Sequence, residues 1–201
     1  MTTKTETKQF QYEIQAYQED CVNNIISLFE SLRQKANFKE VLTAHHKKNK
    51  YNFPVQDTKN IDIMMETGTG KTFTFIKTIF ELSKHFGYKK FIILIPTVPI
   101  REGTKTNLED TKDYFKSLYA NEKEKEIETF VYEGGNISAV RQFIGTSHLS
   151  VLVMTPSSFS HKDNILNRPL EKDINTPELF VNNQEPPKSY LECLKRLNPI
   201  V

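Results

Sequence analysis

The sequence has few of the features that would place a protein in a membrane or outside the cytosol. Its 201 residues include two cysteines, Cys21 and Cys193, which lie far apart and give no disulfide framework. Residues 1–9 are polar, so they indicate no signal peptide, and we expect them to form a disordered leader. No apolar run approaches the length needed to cross a bilayer. These absences predict a cytoplasmic protein with reduced thiols and no membrane partner.

The small net charge and the scattered metal-ligating residues do not indicate a function by themselves. The net charge of +2 does not predict nucleic-acid binding, so any basic surface must be local. Five scattered histidines and two cysteines show no metal-ligand spacing. With 37% hydrophobic and 26% charged residues the composition is globular, and the length suffices for one domain with a full core.

What the sequence does contain is a strand–turn–helix pattern with glycines in the turn. The apolar segment Ile61–Met65 is predicted to form a strand, and an apolar helix is predicted to start at Lys71. Between them, Gly68 and Gly70 allow the backbone to curl with its N–H groups inward, without a Cβ in the way of phosphate oxygens. The general phosphate-loop motif has glycine where Met65 stands, but the two glycines nearest the lysine are present.

The residues of this turn have predicted roles in holding a nucleotide. Lys71 can reach the β- and γ-phosphates, and the Thr72 hydroxyl can bind Mg²⁺. Upstream, Gln18 lies in a predicted amphipathic helix at 12–35, where it is either a solvated residue or reads the adenine edge with its amide. We therefore predict a site for ATP and Mg²⁺ at Thr67, Gly68, Thr69, Gly70, Lys71 and Thr72, which Gln18 joins if its amide reads adenine.

The remaining segments alternate between helix and strand patterns. Strands are predicted at 91–95, 127–132 and 150–155. The helix that opens at Lys71 is predicted to have its apolar body at 73–86, and further helices are predicted at 100–118, 138–143 and 190–197. Residues 38–59 are predicted to be a loop, and residues 160–187 a partly disordered insertion within one domain that spans 10–201. This alternation favours an α/β fold with a mostly parallel, doubly wound sheet and helices on both faces.

Polar residues follow two of the predicted strands. Thr97, Arg101 and Lys105 come after the strand at 91–95, and Thr155 ends the last one. Open α/β sheets bind ligands beyond the carboxyl ends of their strands, so these side chains are candidates for contacts with an anionic, phosphate-bearing backbone. A proline-punctuated turn before a helix explains the first group equally well, and helix N-capping explains the serines after Thr155.

Four motifs of the chain can be compared with a known family: Met64-Met-Glu-Thr-Gly-Thr-Gly-Lys-Thr72, Tyr17-Gln18, Ile95-Pro-Thr-Val-Pro-Ile-Arg-Glu-Gly103 and Val153-Met-Thr-Pro-Ser-Ser-Phe159. Together they resemble the first RecA-like motor domain of superfamily 2 helicases and translocases, and more closely the restriction (Res) subunit of type III restriction–modification enzymes. The resemblance implies a three-layer RecA-like fold, Gln18 as the adenine-reading residue, and DNA-backbone contacts from the last two motifs.

The sequence departs from that family at the acidic Walker B pair. Such motors need this pair to hold Mg²⁺ and to position the attacking water, and no apolar strand here ends in one. In relatives the pair follows a strand that would begin at Ile200-Val201, so we expect an N-terminal fragment without hydrolytic activity. For the parent protein, the resemblance implies ATP-dependent translocation on double-stranded DNA, endonucleolytic cleavage, and a modification (Mod) methyltransferase as partner.

Three alternatives remain at this point. The chain can be the first RecA-like domain of another superfamily 2 helicase, such as a type I restriction motor subunit. Length and phosphate loop also allow a small P-loop kinase, although arginines are few and no arginine-rich lid follows. A non-enzymatic module that holds nucleotide or DNA is the third.

Overall fold

The computed structural model describes the chain at residues 12–34, 37–55, 60–135, 137–160, 165–170 and 187–201. The predicted leader at 1–9 and most of the predicted insertion at 160–187 lie outside these described residues. The chain divides into two units, with the boundary between His85 and Phe86.

The described part of the first unit is helical. Its helices are α1 (Ala16–Gln34), α2 (Phe38–Lys48) and α3 (Lys71–Phe86). Leu28 of α1 packs with Val41 and Leu42 of α2 in a small apolar cluster. The predicted helices at 12–35 and 73–86 are confirmed, with shifted ends. Cys21 of α1 is half-buried and is a free thiol.

The predicted loop at 38–59 is wrong over its first half, because Phe38–Lys48 forms α2. Asn37 caps this helix, and its side chain accepts a hydrogen bond from the Glu40 amide at 3.3 Å. Val41 and Leu42 lie three and four residues after Phe38, which is the spacing of one helical face. The polar residues around this short stripe conceal it in the sequence.

The predicted strand at Ile61–Met65 is also wrong, since no strand is formed there. A strand needs a neighbour that pairs with its backbone. The described sheet lies wholly in the second unit, so the apolar character of Ile61–Met65 was not enough to predict its structure.

The second unit contains a parallel sheet. Its strands β1 (Lys90–Leu94), β2 (Glu128–Val131) and β3 (Ser150–Met154) lie in the order β1-β3-β2. All five residues of β3 are buried, as expected for the central strand of a sheet that is covered on both faces. On the other edge of β1, Ile200 pairs in parallel with Phe91. The predicted α/β class with a parallel sheet is confirmed.

Five helices accompany the sheet among the described residues of this unit. They are α4 (Val98–Asp110), α5 (Lys112–Leu118), α6 (Ile137–Gly145), α7 (Ser157–Ser160) and α8 (Tyr190–Leu197), and Ile165–Asn167 forms a 3-10 turn. The sequence predicts a single helix at 100–118, but this segment forms two helices, α4 and α5, which are separated at Thr111. The Thr111 hydroxyl donates to the Asn107 carbonyl at 2.7 Å, a back-bond that commonly bends helices.

Helices α6 and α8 pack on one face of the sheet. Phe143 of α6 and Cys193 of α8 belong to one buried cluster with Leu152 and Met154 of β3. Cys193 is therefore a core residue. This packing fixes β3, whose carboxyl end precedes the predicted DNA-contacting residue Thr155.

An ionic cluster lies at the amino ends of β1 and β3. The Glu124 carboxylate is 3.0 Å from Lys89 Nζ and accepts a hydrogen bond from the Leu149 amide at 3.1 Å. Burial acts to raise the pKa of Glu124, but the amide, Lys89 and His148 together hold that pKa below its usual value. The stabilisation is therefore present above the ordinary glutamate pKa and is lost as the pH falls through the folded-state value.

We expect Glu124→Gln to destabilise the second unit by about 1 kcal/mol near neutral pH, because the Leu149 amide and the Lys89 ammonium lose a charged hydrogen-bond acceptor. The difference from wild type should shrink as the pH falls below the usual glutamate pKa. Urea unfolding at a series of pH values measures it. Glu109→Gln, at a 63% exposed carboxylate, is the control. A difference that does not change with pH would contradict this account of Glu124.

Candidate functional site

The loop before α3 is curled and held by its own hydrogen bonds. Gly68 and Gly70 have φ of +84° and +77°, a region that residues with a Cβ rarely adopt. The Thr69 hydroxyl donates to the Glu66 carbonyl at 2.6 Å. Because α3 starts at Lys71, the unpaired N–H groups of its first turn adjoin this loop. The curl and the helix start are those that the sequence predicted, and nucleotide binding there remains a prediction.

Lys71 folds back over the loop. Its Nζ donates to the Glu66 carbonyl at 2.8 Å and to the Met65 carbonyl at 3.3 Å. The side chain is exposed, so a phosphate oxygen can replace these neutral acceptors with a charged one. Thr72 follows in the first turn of α3 and is half-buried. Its hydroxyl is a hard oxygen donor of the kind that Mg²⁺ prefers, together with phosphate oxygens.

The first turn of α1 contacts the loop through two side chains. The Tyr17 hydroxyl and Gln18 Nε2 both donate to the Thr69 carbonyl, at 3.2 Å and 3.0 Å. Gln18 Oε1 accepts from the Gln15 amide at 3.1 Å. At 6% exposure Gln18 is buried, so the alternative that it is a solvated helix residue is wrong. Both ends of its amide have protein partners, and its reading of adenine stays a prediction.

The sequence did not indicate the contact of Tyr17 with the loop. The available signal was its position beside Gln18 in the same helical turn. Gly70 also depends on this turn, since a Cβ at that position would lie 2.5 Å from Gln18 Nε2. Glycine at position 70 therefore permits both the positive φ angle and the close approach of the Gln18 side chain.

A cavity of about 700 Å³ opens beside the loop in the first unit. Its lining is largely apolar and includes three carboxylates, those of Asp20, Asp62 and Glu66. None of the described residues that line it is a lysine or an arginine. Three carboxylates with no lysine or arginine among the described lining residues disfavour a triphosphate inside this cavity. The groups of the first unit that favour phosphate are those of the loop, Lys71 and the α3 N-terminus.

Two of the predicted DNA-contacting hydroxyls lie at one edge of the sheet. Thr97 and Thr155 follow the carboxyl ends of the neighbouring strands β1 and β3. The Ile95 amide donates to the Met154 carbonyl at 2.8 Å and keeps these strand ends in register. Thr97 is exposed, at the N-cap of α4. The Thr155 hydroxyl is half-buried and lies 2.8 Å from the Ser157 hydroxyl.

The two predicted DNA-contacting cations differ in how accessible they are. Arg101 is buried, and its guanidinium lies 2.9 Å from the Glu102 carboxylate and 3.2 Å from that of Glu133. Lys105, one turn later on α4, is exposed and lies 4.0 Å from Glu109. A DNA phosphate can approach Lys105 directly, but it must displace a carboxylate to reach Arg101. Sequence reasoning missed Glu133, although it closely follows a predicted strand.

The described residues contain neither a membrane-spanning helix nor a metal-binding cluster. None of their helices is long and apolar enough to cross a membrane. Within the same ranges, no three histidine, cysteine, aspartate or glutamate side chains are grouped so that they could hold a metal ion.

The parallel sheet of the second unit and the helices that pack on it define an α/β fold, the class to which RecA-like domains belong. The family model described as "Type III restriction enzyme, res subunit" matches residues 11–183, so the chain belongs to this family. This membership confirms both the predicted fold class and the predicted family. It also favours the motor-domain hypothesis over a small P-loop kinase or a type I restriction motor subunit.

Curated relatives match shorter segments. The EcoPI Res subunit of Escherichia phage P1 is 47% identical over 88 residues, which are 44% of this chain and 9% of the relative. The EcoP15I Res subunit of Escherichia coli is 49% identical over 73 residues, 36% of this chain and 7% of the relative. Both are called type III restriction-modification enzymes. The matched part of the chain thus spans less than a tenth of the length of these relatives.

Proposed function

We propose that this chain is the ATP-binding N-terminal motor domain of a type III restriction enzyme Res subunit, spanning about residues 10–201. The observation that supports it best is the curled loop at 66–70, with Lys71 folded over it at the start of α3. A loop curled at two glycines of positive φ, a helix N-terminus and an ammonium group together favour the tail of a triphosphate. Mg²⁺ would bind the Thr72 hydroxyl and the phosphate oxygens.

We expect this chain to hold ATP without hydrolysing it. Phosphoryl transfer requires acidic groups that hold Mg²⁺ and position water, and a cation that stabilises the transition state. None of the described strands is followed by two adjacent acidic residues. β2 is followed by the single acidic residue Glu133, which forms an ion pair with Arg101. In the whole protein, ATP turnover would drive translocation on double-stranded DNA and endonucleolytic cleavage, with a Mod methyltransferase as partner.

Titration calorimetry with three ligands tests the nucleotide site. We expect MgATP, MgADP and magnesium tripolyphosphate all to bind, because the proposed contacts are mainly to phosphate. Phosphate release from MgATP should remain at the level of a protein-free sample. Absence of binding for all three ligands would refute the proposed site. Turnover that is abolished by Lys71→Ala would refute the predicted lack of hydrolysis.

A second proposal concerns DNA. Thr97, Lys105 and Thr155 would contact the sugar-phosphate backbone at the carboxyl edge of the sheet, and Arg101 would join them where a phosphate replaces one of its two carboxylates. The exposed ammonium of Lys105 supports this most directly. Such contacts position DNA without reading its sequence.

We expect weak binding of double-stranded DNA whose affinity falls with salt, since each neutralised phosphate releases a counterion. Lys105→Ala should reduce the slope of log K against log salt by about one unit. Fluorescence anisotropy with a labelled duplex at several salt concentrations measures the slope. Lys123→Ala, at an exposed turn residue, is the control. An unchanged slope in the Lys105 variant would remove this residue from the proposed interface.

A further inference from the structure

We propose that Tyr17 is a positioning residue of the nucleotide site. Its hydroxyl acts with the Gln18 amide to fix the Thr69–Gly70 peptide group in the orientation that binds phosphate. The inference rests on the proposed function of the loop, and it assigns a role to the first turn of α1 that does not involve the nucleotide base.

The two side chains act on the same oxygen. Tyr17 Oη is 3.2 Å and Gln18 Nε2 is 3.0 Å from the Thr69 carbonyl oxygen. A carbonyl oxygen has two lone pairs, so these two donors occupy its full accepting capacity. The carbonyl is thereby held toward α1.

Holding this carbonyl also orients the next amide. No peptide bond among the described residues is cis, so the Thr69 C=O and the Gly70 N–H point in opposite directions across one planar group. With the carbonyl directed to α1, the Gly70 N–H must point away from α1. This amide is one of those predicted to contact phosphate, and a flipped peptide would present a carbonyl oxygen to the anion instead.

The loop needs such a restraint because glycine makes the flip easy. Gly70 has φ of +77° and Gly68 has φ of +84°, and glycine tolerates both signs of φ at little cost. A loop that samples both orientations binds phosphate only in the fraction of molecules with the correct one, and its apparent affinity falls in proportion. Two hydrogen bonds on the carbonyl favour the competent orientation before any ligand arrives.

The two donors differ in how well they can be tested. Gln18 is 6% exposed and its Oε1 is held by the Gln15 amide, so its removal also disturbs packing. Tyr17 is 49% exposed, and Tyr17→Phe removes only the hydroxyl. Tyr51, which is 45% exposed in the same unit, provides a matched control as Tyr51→Phe.

The choice of ligand separates this role from adenine reading. Tripolyphosphate carries the phosphate chain of ATP without base or ribose. A residue that orients the Gly70 amide affects tripolyphosphate and ATP equally, whereas a residue that reads adenine affects ATP alone. Calorimetry with the two magnesium complexes therefore distinguishes the two roles.

We expect Tyr17→Phe to weaken both ligands about threefold, the value of one partly exposed hydrogen bond, and Gln18→Ala to weaken both about tenfold. Tyr51→Phe should leave both affinities at the wild-type value. Unchanged binding in Tyr17→Phe, or a loss confined to ATP in Gln18→Ala, would overturn the proposal.

The ¹⁵N–¹H resonance of Gly70 gives a readout that needs no ligand. Wild type should show one sharp signal, and Tyr17→Phe should broaden or split it, while Tyr51→Phe should not. An unaltered Gly70 signal in Tyr17→Phe would overturn the orienting role. If wild type binds neither ligand but the signal responds as expected, the proposed function fails while the role of Tyr17 in the loop is supported.

Discussion

Replacing Lys71 by alanine should lower the affinity of the chain for MgATP by roughly 30- to 150-fold, or about 2–3 kcal/mol. The Lys71 ammonium now donates to two uncharged carbonyls of its own loop. Phosphate oxygens would replace these with charged acceptors, which form shorter and stronger hydrogen bonds. Alanine leaves that negative charge facing backbone amides alone. Magnesium tripolyphosphate should lose affinity by the same factor, since Lys71 would contact only the phosphates.

The control for this experiment is Lys84→Ala, at an exposed lysine near the other end of α3. The affinity of this variant for MgATP should stay within about twofold of wild type, because the dipole of α3 and the loop amides act only near the first turn of the helix. Both variants should unfold in urea as wild type does, since surface substitutions usually change stability by less than about 0.5 kcal/mol. Equal affinity of Lys71→Ala and wild type would place the nucleotide away from the loop.

The curled loop before α3 could be predicted because its requirements are local. Two glycines, a lysine and a following apolar helix are within one short segment, and the positive φ angles are where the glycines are. The apolar runs of β1 and β3 were equally clear, since a central parallel strand is buried on both faces. Local signals failed where the deciding interaction was weak or distant. The stripe of α2 is only a few residues wide, and Ile61–Met65 has no pairing partner in the described sheet.

Contacts between distant residues of the candidate sites could not be predicted. Tyr17 and Thr69 are 52 positions apart, and Arg101 and Glu133 are 32 apart. Each residue is visible in the sequence, but which pairs meet depends on how the helices and strands pack. This limit matters most for Arg101, whose charge suggested a DNA contact. Its pairing with Glu102 and Glu133 makes that contact conditional on displacing a carboxylate.

Replacing Phe143 by alanine should destabilise the second unit by about 3–5 kcal/mol, the usual cost of removing a buried aromatic ring. Phe143 is 0% exposed, and its ring centroid lies 6.2 Å from that of Phe130 in an edge-to-face arrangement. Lys90 Nζ lies 4.8 Å from the same ring centroid, so the cation also loses a partner. Against a total of about 5–15 kcal/mol for a typical domain, this loss is severe.

Urea unfolding monitored by near-ultraviolet circular dichroism measures this loss. Leu118→Ala, at a 46% exposed residue of α5, removes an apolar side chain from the surface of the same unit and should cost less than about 0.5 kcal/mol. The α6 helix connects β2 to β3, so loosening it also loosens the strand ends that precede Glu133 and Thr155. A cost below about 1 kcal/mol for Phe143→Ala would mean that α6 does not anchor the sheet. The carboxyl edge proposed to meet DNA would then have to be positioned by other elements, such as α4, which contacts both β2 and β3.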